Sequence, residues 1–182
     1  MPRSRSATPF DILPPFQDAD IVNVIVETPA GYRSKLKYDP KAGVFALGKI
    51  LPEGFVFPFD FGFVPGTRAA DGDPVDVMLI AESGSAPGCL VPARLLGVLE
   101  AEQRKLKEDG KAMRNDRILA VPLPSRQYAD LSDIDKMSPA LREQIEYFLI
   151  SYGVLEGKEM RITGVAGPAV AATLVKQAAR KK

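Results

Sequence analysis

FVFPFDFGFV, residues 55–64, carries a phenylalanine at every second position from Phe55 to Phe63. An extended chain turns successive side chains to opposite faces, so all five rings are expected on one core-facing side of a strand. Pro58 has no amide hydrogen to give a ladder, which places that strand at an edge or a bulge. Upstream, IVNVIVE (21–27) is β-branched and runs into a turn at Pro29 and Gly31. Residues 33–39 and 43–50 read as a pair of strands around Pro40 and Gly43. Further strands are expected at 75–81, 90–99, 117–123 and 158–163. The charged stretch 102–115, with Gly110 inside it, reads as an exposed hairpin or loop. The clearest helix runs from Ser138 to Gly153. Ser138 caps it, Pro139 suits its first turn, and Leu141, Ile145, Phe148, Leu149 and Tyr152 share one stripe. A second helix is expected from Pro168 toward the tail. Many short strands followed by two helices predict a mixed α+β, mainly β fold, a small barrel with helices on its outside.

With 182 residues the chain suits one domain with ragged ends. The expected division is an extended or disordered arm at 1–18, a barrel domain at 19–166, and a C-terminal helix and basic tail at 167–182. Lys and Arg number 24 against 23 Asp and Glu, a balance unlike the strong basic excess of nucleic-acid binders. No apolar run approaches a bilayer span, and the N-terminal segment lacks the apolar core of a secretory signal. Cys89 is the single cysteine, so no internal disulfide can form, and a cytoplasmic location is expected. The chain has no histidine. That excludes serine–histidine and cysteine–histidine hydrolysis and histidine-based zinc sites, and leaves chemistry to carboxylates, Lys, Tyr and Arg.

DGDPVD, residues 71–76, sets three carboxylates within one short segment. Pro74 biases Asp73 toward an extended backbone, and Asp71 and Asp73 then face the same side. Like charges this close repel unless a cation or solvent intervenes. Mg²⁺ suits such a cluster, because it takes oxygen ligands and keeps waters for substrate phosphates. A pair of such ions about 4 Å apart can acidify a water and hold leaving oxygens. Spacing alone equally allows a solvated turn, since Asp-Gly and Asp-Pro are common turn dipeptides. A calcium loop fits less well. Val75 stands at a ligand position and Asp76 where such a loop needs glycine. Cations that a phosphate would want flank the motif at Arg33, Lys35, Lys37, Lys49, Arg68 and Arg117. Neither a P-loop nor a G-x-G-x-x-G occurs.

DGDPVDV at 71–77 resembles the acidic signature of the family I inorganic pyrophosphatases. The similarity extends from about Val22 to Gly164 through ETPAG (27–31), FPFDFGF (57–63), GVL (97–99), AVP (120–122) and SYGVLEGK (151–158). The resemblance implies a five-stranded, partly open, OB-like barrel with flanking helices, hydrolysing pyrophosphate or a related small phosphoanhydride with Mg²⁺. It also implies a homo-oligomer, hexameric in bacterial members, with neither nucleic acid nor membrane as partner. In that pattern Asp71 and Asp76 hold metal, and Asp73 orients or deprotonates the attacking water. Asn115 is a further candidate ligand. Glu27, Lys35, Lys49, Arg117 and Tyr152 would meet the substrate.

The chain departs from the family in several places. Lys37 stands for a carboxylate, Lys49 for an arginine, Phe57 and Phe61 for tyrosines, and Gly153 for a lysine. Gln103 and Asn115 stand for loop carboxylates and Arg117 for a lysine. Glu102 and Asp116 lie one residue away, an offset that points them to the opposite face of an extended chain. Two alternative expectations follow. One is a hydrolase of the same fold acting on another phosphoanhydride or phosphate ester. The other is a non-catalytic, degenerate homologue.

Overall fold

The computed structural model describes residues 9–10, 12–69, 72–107 and 111–179. In chain order the strands are β1 (Phe16–Asp18), β2 (Ile21–Thr28), β3 (Ser34–Asp39), β4 (Val44–Ile50), β5 (Asp60–Val64), β6 (Val75–Leu79), β7 (Leu90–Lys105), β8 (Met113–Arg114) and β9 (Arg117–Pro122). Helix α1 (Pro139–Leu155), strand β10 (Lys158–Ala166) and helix α2 (Pro168–Ala178) complete it.

Five strands pair in a circuit. The order β2–β5–β6–β9–β7 returns to its start through a β2–β7 ladder joining Ile21–Ile25 to Leu90–Arg94. All these pairings are antiparallel except β6–β9. The result is the partly open barrel rather than a clean cylinder, because β7 runs on past the ring to pair with β10 and β8. β3 and β4 form a separate two-stranded sheet.

Alternation along the strands builds two cores at once. Val77 and Leu79 of β6, and Ile118 and Ala120 of β9, enter a cluster with Ala171 and Val175 of α2. Their neighbours Met78, Leu119 and Val121 enter a second cluster with Ile145, Phe148 and Leu149 of α1. Successive residues face opposite sides, so these strands are buried on both faces and read as continuous apolar runs. Ser138 accepts a hydrogen bond from the Leu141 amide at 3.3 Å and caps α1, and Pro168 opens α2 without a side-chain cap.

The phenylalanine segment differs from expectation. Only residues 60–64 are strand. Before Pro58 the chain is held by loop bonds instead, with the Phe57 amide donating to Tyr32 O and its carbonyl accepting from Gly31 N. Phe55, Phe57, Phe59 and Phe61 all reach the α1 core. Phe63 does not. It packs on Tyr38 and Phe10 instead. β7 is also longer than expected. Its charged end persists because β10 lies beside it, with Arg104 paired to Glu159 and Arg161 to Glu102. The last residues of the N-terminal arm are extended and pair with β2 as β1.

Gly97 sits where the β7 register against β9 shifts, with φ +149°. A Cβ there would lie 2.3 Å from the Ala166 carbonyl oxygen and 2.8 Å from Ile134 Cγ2. The close approach of β10 to β7 therefore requires glycine.

Candidate active site

The parallel β6–β9 pairing sets Val77 opposite Ile118, so Asp76 and Arg117 fall at the same end of adjacent strands. The Arg117 Nη1 lies 3.9 Å from the Asp76 carboxylate. It donates to the Asn115 side-chain oxygen and, at 3.1 Å, to the Asp116 carbonyl. Asp73, two residues beyond Asp71, forms an ion pair with Lys37 at 2.7 Å. Asp73 and Asp76 each keep 58% side-chain exposure, so a hydrated ion and a phosphate can reach both. Asp71 lies outside the described residues.

β2 and β3 bring Glu27, Lys35 and Lys37 to the same place. Thr28 ties the strands together, its hydroxyl donating to Leu36 O at 2.9 Å and accepting from Leu36 N at 3.0 Å. Glu27 accepts from the Tyr38 amide at 2.8 Å. Burial, with help from the charge of Asp76, pushes the Glu27 carboxyl up to about 7 against the opposing pull of that amide, Lys37 and Lys35. The folded protein thus holds a proton that the unfolded chain releases near 4.5. Stability from this group is present below 4.5 and is lost as pH rises toward 7. Glu27→Gln keeps an oxygen for Tyr38 N and removes the buried charge. In urea titrations without divalent metal, it is expected to exceed wild type by about 2 kcal/mol at pH 8 and by little at pH 4.5. An equal difference at both pH values would exclude this origin.

The C-terminal end of α1 closes the site. Tyr152 packs against Phe57 and Phe148, and Lys35 Nζ stands 5.1 Å above its ring. The buried Tyr152 hydroxyl has no hydrogen bond of good geometry. Burial and the neighbouring Glu156 hold its pKa above the usual range, so it is a donor and not an anion. Lys49 binds Glu156 at 2.7 Å, next to the helix end where cations are favoured. Burial of Lys35 lowers its pKa, opposed by Glu156 and Asp76. Phe57 and Phe61 stand edge to face, and Phe57 is fully buried in the α1 core.

The loop residues divide as their offset requires. Asn115 donates to Gln103 at 2.6 Å and accepts from Arg117, so it faces the site with its amide oxygen already engaged. Asp116 turns to the Ala101 amide at 3.2 Å and to Arg114 at 2.6 Å, and Glu102 turns to Arg161 at 3.1 Å. Among the described residues no three Cys, His, Asp or Glu side chains gather as a metal cage. The donors that do converge are carboxylate and amide oxygens, the type that suits Mg²⁺, with no sulfur or imidazole among them.

Expected residues Glu27, Lys35, Lys49, Asp73, Asp76, Asn115, Arg117 and Tyr152 therefore come together. Arg33 does not. It is taken up by Leu51 O and Glu53. Sequence reasoning passed over Glu156, although its place one turn after Tyr152, at the C-cap of α1, sets it beside that residue. It also passed over Asp60. This buried carboxylate accepts from Ala30 N at 2.7 Å and Ser85 N at 2.8 Å, and so pins the turn that follows Glu27.

Comparison with known proteins follows the same line. The family model described as inorganic pyrophosphatase matches residues 24–182. The inorganic pyrophosphatase of Synechocystis is 35% identical over 152 residues, covering 84% of this chain and 86% of the relative. That of Aeropyrum pernix is 35% identical over 162 residues, covering 87% and 88%. The crystal structure of the Thermus thermophilus inorganic pyrophosphatase superposes with a TM-score of 0.82 at 28% identity, over 93% of this chain and 95% of that one.

Proposed function

Because the chain belongs to the inorganic pyrophosphatase family, and with it to the inorganic diphosphatases, we propose that it hydrolyses pyrophosphate to two phosphates with Mg²⁺ held at Asp71 and Asp76. The observation that carries the reading is the position of Asp76. Glu27, Lys35, Lys37 and Tyr152 all sense its charge, and Arg117 lies beside it. When bound, Mg²⁺ supplies charge neutralisation for the phosphates and acidifies water. Lys35, Lys49 and Arg117 meet the remaining negative charge and hold the anhydride in place. Asp73 orients the attacking water and accepts its proton. The Tyr152 hydroxyl donates to a phosphate oxygen, and Phe57 and Phe148 packed against its ring hold it in place. Catalysis is then mainly positioning and electrostatics, as phosphoryl transfer requires. Asn115, its oxygen engaged by Arg117, is at most a weak further ligand.

The same reading makes the protein a cytoplasmic homo-oligomer. No helix among the described residues is long and apolar enough to cross a membrane.

The test is phosphate release from pyrophosphate, ATP and a simple phosphate monoester, with Mg²⁺, with Ca²⁺ and with EDTA. Pyrophosphate is expected to be cleaved fastest, only with Mg²⁺, and Ca²⁺ is expected to suppress the rate because its longer, looser bonds misplace the water. Full activity in EDTA would remove the metal from the reaction. One feature favours a second substrate class. Phe57 and Phe61 carry no hydroxyl to donate to a compact phosphate, and faster turnover of ATP than of pyrophosphate would establish that alternative.

A further inference from the structure

The described part of the N-terminal arm is fastened to β2 and reaches the hairpin that carries the substrate-side lysines. Asn23, buried in β2, donates from its side chain to Pro14 O at 2.9 Å and from its amide to Pro15 O at 3.0 Å. Further back along the arm, the Phe10 carbonyl accepts from the Leu13 amide at 3.2 Å. The Phe10 ring stands edge-on to Tyr38 and Phe63, with centroids 4.7 Å and 5.8 Å away, and Phe45 lies at 6.1 Å. Tyr38 and Phe45 are a cross-strand pair of β3 and β4, while Phe63 belongs to the barrel strand β5. One aromatic cluster therefore joins arm, hairpin and barrel.

β3 and β4 form a sheet of their own, so the hairpin depends on contacts outside the barrel ladders to keep its place. Thr28 holds the Leu36 backbone, and Glu27 holds the Tyr38 amide. On the lysine side the fastenings are ionic, Lys37 to Asp73 and Lys49 to Glu156, each at 2.7 Å. A phosphate that draws on these ammonium groups weakens both pairs. Tyr38 follows Lys37 in β3 and faces the other side of the hairpin. The aromatic contacts there carry no charge, and an incoming anion does not loosen them.

We propose that Phe10 is a positioning residue for substrate binding, clasping the β3–β4 hairpin to the barrel so that Lys35 and Lys49 stay where a phosphoanhydride meets them. The inference rests on the reading of those two lysines as substrate ligands. The ring touches neither the substrate nor the reacting water. It acts through Tyr38 and Phe45, and its effect falls on how much hairpin ordering the substrate itself must supply on binding. Loss of the clasp therefore weakens binding and leaves the chemical step of the bound complex nearly unchanged.

The test uses the full chain at saturating Mg²⁺. Steady-state kinetics on pyrophosphate are paired with calorimetry of methylenebisphosphonate, which cannot be hydrolysed, and with urea titrations. Phe10→Ala is expected to raise KM and the bisphosphonate Kd by about 3–10-fold and to leave kcat within about twofold, the scale of ordering a few side chains on binding. Phe10→Tyr keeps the ring and is expected to bind as wild type does. Phe16→Ala is the comparison. Phe16 lies in β1 of the same arm, but its ring packs on the α2 cluster beside Lys176, so its loss is expected to lower the urea midpoint with KM unchanged. Wild-type KM and Kd in Phe10→Ala would overturn the clasp. So would an equal rise in KM in Phe16→Ala, which would mark a general loss of stability, or a Phe10→Tyr variant as weak as Phe10→Ala. Lys35→Gln is measured alongside. If it binds the bisphosphonate as tightly as wild type, the reading of the hairpin lysines as substrate ligands has itself failed.

Discussion

Asp76→Asn is expected to lower kcat for pyrophosphate at least about 100-fold, and Asp73→Asn by the same order, the scale for losing a group that organises the reacting water or its charge. The structure gives each loss a separate cause. Asp76 is the second residue of β6, beside Arg117, and its charge reaches Glu27, Lys35, Lys37 and Tyr152. Neutralising it leaves several cations around a site with less to hold them. Asp73 lies in the loop, more than half exposed, and its side chain can approach a water without moving the sheet. Neither side chain is buried in a core, so both variants are expected to unfold near the wild-type urea midpoint, which separates chemistry from folding. Steady-state kinetics at saturating Mg²⁺ with matched urea titrations read both quantities. Near-normal turnover in either folded variant would return DGDPVD (71–76) to a solvated turn.

Gly97→Ala is expected to destabilise the fold by about 3–5 kcal/mol, combining overpacking with a positive φ. Such a loss is a large share of the roughly 5–15 kcal/mol that separates a folded domain from its unfolded chain. The atom met first is the Ala166 backbone oxygen at 2.3 Å, so β10 must move away from β7 and cannot simply rotate a side chain. Gly43→Ala provides the comparison. Gly43 has φ +72° with nothing within 4 Å of its Cβ position, so only the backbone term of about 1–2 kcal/mol applies. A Gly97→Ala midpoint no lower than that of Gly43→Ala would show that β10 yields easily.

What could be read in advance was whatever repeats within a short stretch. β2, β6 and β9 are apolar runs of strand length, and α1 carries both its cap and its stripe. The acidic hexamer lies in one segment, and the offset of Asp116 from Asn115 follows from the two-residue period. What escaped depends on distant partners. Lys37 and Asp73 meet only because β3 folds across the loop, and nothing within either segment announces the pair. The charged end of β7 has the composition of a loop, and only the oppositely charged β10 beside it makes it a strand. Phe63 has the same spacing as the other four rings, yet Tyr38 and Phe10 take it from the α1 core.

The β2–β7 ladder also bears on how quickly the protein comes into being. It joins Ile21–Ile25 to Leu90–Arg94, and β7 still awaits β9 and β10 from later in the chain. Contacts so far apart in sequence must be brought together before they stabilise anything, which places folding in the slow range, on the order of milliseconds to seconds. Glu27, Asp76, Arg117 and Tyr152 come from four segments that meet only once this circuit is in place. A chain emerging from the ribosome therefore has no partial version of the site until α1 has been made.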